Sequence, residues 1–230
     1  VIEKIKKIGL FSISIPKKYG GREFSMEEQV LLTFEFTQAS AVFRSIFSTT
    51  IGLCSQTLLD YGTEEQKTSY LPGMAKGDII GAFALTEPEA GSDAGSLKST
   101  ALKKGNGYIL NGQKRYITNA PFADVFLVMA RTDPKSIGSE GVSAFLVDSK
   151  TQGIEVEEPP KMLGQKGSLA CEVNFRDVLV SAEGLVGGVE GNGLKAALRG
   201  INHARTHVAA TCVGQAIRLI NEMIPFALNR

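Results

Sequence analysis

The stretch IIGAFALTEPEAGSD, residues 79–93, marks a change in the pattern of the chain and decides its fold class. Its first half alternates Phe83 and Leu85 with small residues, which is typical of a strand, and its second half is a polar loop. Further β-rich runs follow, separated by Gly, Asn, Pro and Asp: KSTALKK, YILNGQKRYIT, DVFLVMAR, VSAFLVD, GIEVEE and ACEVNFRDVLV. Because no helical pattern lies between them, we predict an antiparallel β-barrel or sandwich at 79–188 and not a parallel doubly wound sheet.

Helical patterns flank this β region on both sides. Before it, isoleucines recur every three residues from Ile2, and the motifs SMEE (25–28) and TEEQ (63–66) match the capping box that opens a helix. We therefore predict an α+β protein with an N-terminal helical domain of three or four helices at 1–78. A helical period returns at 189–230, which we interpret as the first part of a C-terminal helical bundle. The chain begins with Val and ends without a helix stop signal, so we expect it to be incomplete at both ends.

Composition excludes several classes of function. The 230 residues are 43% hydrophobic and 21% charged, which is typical of a globular protein with a substantial core. A net charge of +1 argues against binding nucleic acid, and no apolar run approaches the roughly 20 residues that span a membrane. The three cysteines, Cys54, Cys171 and Cys212, form no CxxC pair, so we expect buried, reduced thiols and neither a disulfide framework nor a metal site.

Two stretches have residues suited to binding a ligand. In the loop after the first strand, Thr86 and Ser92 supply hydroxyl groups, and Gly91 permits close approach of the backbone to a polar ligand or a phosphate. In YILNGQKRYITN, strand alternation places Tyr116 and Thr118 on one face, which suits a flat ligand. From the residues alone, an ordinary turn and a cross-strand aromatic pair are the more common explanations.

The two motifs FALTEPEAGSD and NGQKRYITN, about twenty residues apart, resemble the paired signature of the FAD-dependent acyl-CoA dehydrogenase family. The likeness also covers DYGTEEQKTSYLPGMAKGD and the helix after GNG, and so spans nearly the whole chain. It implies a flavoprotein oxidoreductase of fatty acid metabolism that converts an acyl-CoA to the trans-2-enoyl-CoA. It also implies electron-transferring flavoprotein as the acceptor, a homotetramer or homodimer, and a location in the cytoplasm or, in a eukaryote, the mitochondrial matrix.

The resemblance also implies which residues line the cofactor. Thr86 would lie near the pyrimidine part of the flavin, and Ser92 near both the cofactor phosphates and the acyl-CoA. Tyr116 stands where the family usually has Trp, which puts the preferred electron acceptor in question. The implied FAD contacts are Phe83, Leu85, Thr86, Gly91, Ser92, Tyr116, Ile117 and Thr118.

A helical wheel of the last segment places Arg205 on an apolar stripe formed by Leu194, Leu198, Ile201 and Val208. A guanidinium group in that position requires an anion, unless it reaches solvent or pairs with a carboxylate of the protein. The resemblance implies that this part of the helix faces acyl-CoA. Arg205 and Asn202 are then the candidate substrate contacts, with Asn202 standing where an Asp is common.

The same wheel places His203 and His207 on the opposite, polar side of the helix. They are four residues apart, but no HExxH glutamate lies between them. We therefore predict a solvated face and not a metal site.

No catalytic base is evident in the sequence. The family uses a glutamate, either far downstream or immediately before the arginine of this helix, and the second position is Ala204 here. We expect the base beyond Arg230. There are two alternatives. The protein is a family member that lacks the standard base and acts on an unusual acyl-CoA by elimination, or it is a non-catalytic module that binds flavin or acyl-CoA.

Arg44, in SAVFRSIFS, has no carboxylate three or four residues away. One hypothesis is that it holds a carboxylate at the far end of an unusual acyl chain. An exposed or inter-helix arginine is the more common explanation.

Overall fold

The computed structural model describes residues 1–230 and begins with a helical region. Its helices are α1 (Ile2–Ile8), α2 (Met26–Thr37), α3 (Ala41–Ser48), α4 (Ser55–Tyr61) and α5 (Glu64–Lys76). A π-helical segment, Thr49–Cys54, joins α3 to α4 without a break, so the chain makes four continuous helical stretches, as predicted. Both predicted capping boxes are present, at the first turns of α2 and α5. These caps satisfy backbone N–H groups that a helix start leaves free.

All seven predicted β-rich runs form strands. They are β1 (Gly81–Ala84), β2 (Thr100–Lys104), β3 (Gly107–Thr118), β4 (Val125–Arg131), β5 (Val142–Asp148), β6 (Ile154–Val156) and β7 (Ala170–Ser181). The strands form one sheet in the order β1-β4-β2-β3-β7-β6, with β5 also paired to β4. The α+β class is confirmed, but the sheet is mixed and not purely antiparallel, because β1 and β4 run parallel. The segment that contains β2 and β3 lies between β1 and β4 in the sequence. It gives the chain enough length to connect two parallel strands.

Strand β4 connects the two parts of the core. Its seven residues are all buried, and alternate side chains enter different apolar clusters. Val125, Leu127 and Met129 pack with the helical region, whereas Phe126 and Val128 pack within the other face of the sheet. Burial on both faces explains why this strand has a continuous apolar run and no alternation.

The last helix, α6 (Gly193–Leu228), packs on α2, on the π-helical segment and on β5. The predicted apolar stripe is packed only in part: Leu194 lies in the core and Ile201 packs against it, whereas Leu198 and Val208 are 45% and 48% exposed. The buried side also has small residues. An added Cβ at Gly200 would lie 3.3 Å from Thr57 Oγ1, and one at Gly214 would collide with Thr37. Close approach between helices selects for small residues here, so hydrophobicity does not identify the packed face.

The cysteines are free, and two of the three are buried as predicted. Cys54 and Cys171 lie in the core, but Cys212 is exposed on α6, which corrects the prediction for that residue. No helix of the structure combines the length and the apolar content that crossing a membrane requires.

Candidate active site

The two polar stretches are neighbours in the structure. The backbone N–H of Arg115 donates to the carbonyl of Thr86 over 2.8 Å, and Lys114 Nζ donates to the carbonyl of Leu85 over 3.2 Å. The chain that leaves β1 therefore runs directly beside the end of β3. Backbone and side-chain hydrogen bonds both fix this junction.

A buried ion pair lies next to this junction, on the side of the protein interior. Lys114 Nζ contacts Glu87 Oε1 at 2.7 Å, and both side chains are almost completely buried. Burial lowers the pKa of Lys114 to about 8, against the opposing charge of Glu87. Burial alone would raise the pKa of Glu87, but Lys114 and the hydrogen bonds from Lys98 and Ser99 outweigh it and hold that pKa below its usual range. At neutral pH the pair is therefore ionised.

Tyr116 presents its ring to solvent from a strained backbone. Its φ is 59°, within an irregularity of the β3–β7 pairing between Lys114 and Ile117. The ring is 55% exposed, and the Arg115 guanidinium lies 4.9 Å from its centroid. Positive φ is rare for an aromatic residue and is found most often at functional sites. No cross-strand aromatic partner explains this ring, because the aromatic pairs of the structure lie elsewhere.

The other predicted cofactor residues divide into accessible and buried ones. Gly91 and Ser92 are exposed, Phe83, Thr86 and Thr118 are half-buried, and Leu85 and Ile117 lie in the core. For the last two, only the backbone is available to a ligand. An added Cβ at Gly91 would meet nothing within 4 Å, so this glycine borders open space. An exposed ring, accessible hydroxyl groups and an open loop fit a planar cofactor that carries phosphates.

Arg205 is not on a buried apolar face, contrary to the wheel. Both Arg205 and Asn202 are exposed, and Arg205 Nη1 donates to Asn202 Oδ1 over 2.7 Å. The guanidinium is therefore partnered within its own helix. Its remaining N–H groups face solvent and are available to an anionic ligand.

Arg44 lines a small pocket between α2, α3, the π-helical segment and α6. Other lining residues include Gln29, Ser48, Ala204 and His207, and none of the lining residues is acidic. No carboxylate lies within salt-bridge distance of the guanidinium, and its Nε is buried without a hydrogen-bond partner. Burial lowers the pKa of Arg44 below its ordinary value. The side chain lies between helices, which was the more common explanation, yet nothing in the structure neutralises its charge.

The prediction of a solvated histidine face was wrong. His207 is only 8% exposed, and its ring centroid lies 5.2 Å from that of His203. Burial, together with the neighbouring charges of His203 and Arg44, lowers the pKa of His207 to about 4. The wheel failed because α6 turns its small residues inward, and the histidines lie on that side.

Two family models match this chain. Residues 1–78 match the family model for the acyl-CoA dehydrogenase N-terminal domain, and residues 82–178 match the one for the middle domain. The chain belongs to the acyl-CoA dehydrogenase family. Its members are flavin-dependent oxidoreductases.

Two sequence relatives show the range of reactions in this family. An acyl-CoA dehydrogenase of Bacillus subtilis (strain 168) is 39% identical over 230 residues, covering 100% of this chain and 60% of the relative. An acryloyl-CoA reductase (NADH) of Anaerotignum propionicum is also 39% identical, covering 99% of this chain and 58% of the relative. The chain thus spans about 60% of the length of the curated relatives it matches.

Two solved structures are similar over the whole chain. A glutaryl-coenzyme A dehydrogenase in complex with glutaryl-CoA has a TM-score of 0.93 at 32% identity and is covered to 58% of its length. The FAD complex of PigA has a TM-score of 0.93 at 31% identity and is covered to 60%.

Sequence reasoning missed the Lys114–Glu87 pair and the pocket around Arg44. One signal for the pair was available, because Lys114 continues the inward register of Tyr108 and Leu110 along β3. A lysine at an inward strand position requires a buried partner. Nothing in the sequence shows that Gln29 or His207 would lie beside Arg44.

Proposed function

We propose that this chain carries the flavin site and part of the substrate site of an enzyme that oxidises an acyl-CoA thioester to the trans-2-enoyl-CoA. The observation that supports it most directly is the junction of the β1 and β3 ends. There, the hydrogen bond from Arg115 to Thr86 brings an exposed aromatic ring close to a hydroxyl-rich loop. Family membership supplies the reaction class.

In this proposal the accessible residues hold FAD, which when bound accepts a hydride from the β-carbon of the substrate. Tyr116 supplies a flat apolar surface for the ring system. The hydroxyl groups of Thr86, Ser92 and Thr118 donate to polar edges and phosphates, and Gly91 leaves room for close approach. Phe83 packs at the margin, whereas Leu85 and Ile117 contribute only backbone groups.

The α-proton must be taken by a base that these residues do not include. Ala204 occupies one of the two family positions for the glutamate, and a methyl group cannot accept a proton. We therefore place the base outside residues 1–230. Arg205, Asn202 and Ser92 remain the candidate contacts to the CoA thioester.

Arg44 points to the chemical class of the acyl group. Arg44 is half-buried, its Nε has no partner, and no carboxylate of the protein balances its charge, so a bound anion could pair with it. The structurally similar glutaryl-CoA dehydrogenase binds glutaryl-CoA, an acyl group that ends in a carboxylate. We propose that the acyl group used here also ends in a carboxylate, held by Arg44.

Anaerobic titration of the complete polypeptide with acyl-CoA thioesters tests the main proposal. Oxidised FAD should copurify or bind, and a good substrate should bleach its absorbance in blue light. Bound FAD that no thioester bleaches would favour a non-catalytic binding module or elimination chemistry. Because reductases occur among the relatives, the reduced protein should also be mixed with enoyl-CoA to determine which direction is faster.

A substrate comparison tests the role of Arg44. Arg44→Met should raise KM for a dicarboxylic thioester by roughly 10- to 100-fold, the size of a lost hydrogen bond to a charged group. KM for a plain fatty thioester should change little. Arg199→Met, which removes an exposed arginine paired with Asp60, is the matched control. Equal changes for both thioesters would exclude the proposal.

We further propose electron-transferring flavoprotein as the acceptor and a homotetramer or homodimer as the assembly. A solved structure that resembles this chain comes from work on the electron transferring flavoprotein of Acidaminococcus fermentans. Reoxidation of the reduced protein by such a flavoprotein, with sedimentation to determine the mass of the assembly, tests both points.

A further inference from the structure

The buried pair Lys114–Glu87 lies next in sequence to the proposed flavin contacts. Glu87 follows Thr86 directly, and Lys114 lies two residues before Tyr116. Lys114 Nζ also donates to the carbonyl of Leu85. Through these contacts, the buried pair holds both stretches of the proposed flavin site in position.

One carboxylate closes the whole loop between β1 and β2. Glu87 Oε1 accepts from Lys114 Nζ at 2.7 Å, from Ser99 N at 3.0 Å and from Ser99 Oγ at 2.6 Å. Glu87 Oε2 accepts from Lys98 N at 2.6 Å. The loop that contains Gly91 and Ser92 is thus tied at its start and its end to the same side chain. The carboxylate therefore contributes to the shape of this loop, together with Arg131, which donates to the carbonyls of Gly95 and Leu97.

The pair also places two opposite charges in a region of low dielectric. Such charges are screened weakly, so each acts on groups nearby, and together they largely cancel. Removing one partner leaves the other as an uncompensated buried charge. A bound redox group that gains negative charge on reduction responds to the sign of the charge that remains.

We propose that Lys114 and Glu87 are positioning residues that shape the flavin loop and balance the charge beneath it, and thereby set both FAD affinity and flavin reduction potential. The inference rests on the proposed function. Removing the positive charge should make the flavin harder to reduce, and removing the negative charge should make it easier to reduce. A purely structural pair would weaken FAD binding without shifts of opposite sign.

The experiment uses the complete polypeptide and three variants: Lys114→Met, Glu87→Gln and the double variant. FAD affinity is measured by fluorescence titration, and the midpoint potential by anaerobic reduction with a reference dye. We expect a lower potential for Lys114→Met, a higher one for Glu87→Gln, and a value near wild type for the double variant. Both single variants should bind FAD about tenfold or more weakly, since each breaks charged hydrogen bonds in the loop.

Lys103→Met is the matched control. It removes an exposed lysine of β2 that pairs with Glu190 outside this loop, so neither affinity nor potential should change. If wild type binds no FAD, the proposed function fails. If wild type binds FAD but the two single variants shift the potential in the same direction, or not at all, this inference fails alone.

The double variant keeps the inference falsifiable if the single variants do not fold, because it buries no unpaired charge. It lacks the carboxylate that ties the loop, so its FAD affinity should still fall about tenfold. An unchanged affinity would overturn the inference.

Discussion

Two basic side chains of the structure have opposite surroundings: Lys114 is fully buried, and Arg44 is half-buried between helices. Lys114 has a carboxylate at 2.7 Å and a carbonyl acceptor, so its charge is fully partnered. Arg44 has no carboxylate near it, and its Nε has no partner at all. The first charge has its counter-charge within the protein, whereas the second has none.

The contrast separates a group that stabilises the fold from a group that, in our proposal, binds the carboxylate of the substrate. Breaking a paired buried charge is strongly destabilising, because the partner is left alone. Removing an unpaired buried charge relieves a desolvation cost. The two sites therefore make predictions of different size and sign for the same kind of substitution.

The largest effect is expected at the complete pair. Lys114→Met should lower the free energy of unfolding by roughly 3–5 kcal/mol, because it leaves the Glu87 carboxylate buried without its counter-charge. The double change with Glu87→Gln should recover much of that loss. Urea unfolding followed by circular dichroism measures both. If the double variant is as unstable as the single one, the charge is not what makes Lys114 important.

The pattern of the sequence predicts the elements of this fold well. Strands such as β4 and the capping boxes of α2 and α5 depend on local residue order, which a single sequence shows. The parallel pairing of β1 with β4 was not predictable in this way, since it depends on how distant segments meet. The packed face of α6 was predicted wrongly for a related reason: glycines such as Gly200 make the contact there.

The same distinction applies to the candidate site, where single motifs can be predicted from the sequence but contacts between distant residues cannot. The motifs that contain Thr86 and Tyr116 are visible as residues, but their adjacency is not, because β1 and β3 do not pair with each other in the sheet. Glu87 and Lys114 are far apart in sequence, so their pairing requires the folded sheet. The exposed position of Arg205 and the burial of His207 depend on which side of α6 packs inward, and the helical wheel predicted that side wrongly.

An intermediate effect is expected at His207, beside the incomplete site. Its pKa is lowered from 6.5 to about 4 by burial and by His203 and Arg44. Between these two pH values the unfolded chain binds a proton that the folded chain does not. The free energy of unfolding should therefore fall by about 3 kcal/mol as pH decreases from 6.5 to 4, and this contribution is fully present above 6.5.

Stability measured against pH for wild type and His207→Gln isolates this contribution, because the carboxylates are common to both proteins. The variant should lose less stability than wild type across that pH range. Parallel curves would show that His207 takes up a proton as readily in the folded chain as in the unfolded one.

The smallest effect, and the one that tests the comparison most directly, is expected at Arg44. Arg44→Met keeps an unbranched side chain of similar length and removes a half-buried charge that no carboxylate balances. In the absence of ligand, the free energy of unfolding should stay the same or rise by up to about 1 kcal/mol, because the lost guanidinium was costly to bury. The same change should raise the pKa of His207, since Arg44 lowers it. Urea unfolding at neutral pH and histidine NMR titration measure the two effects. A loss of stability as large as that of Lys114→Met would mean that Arg44 is already partnered, and the two buried cations would then be alike.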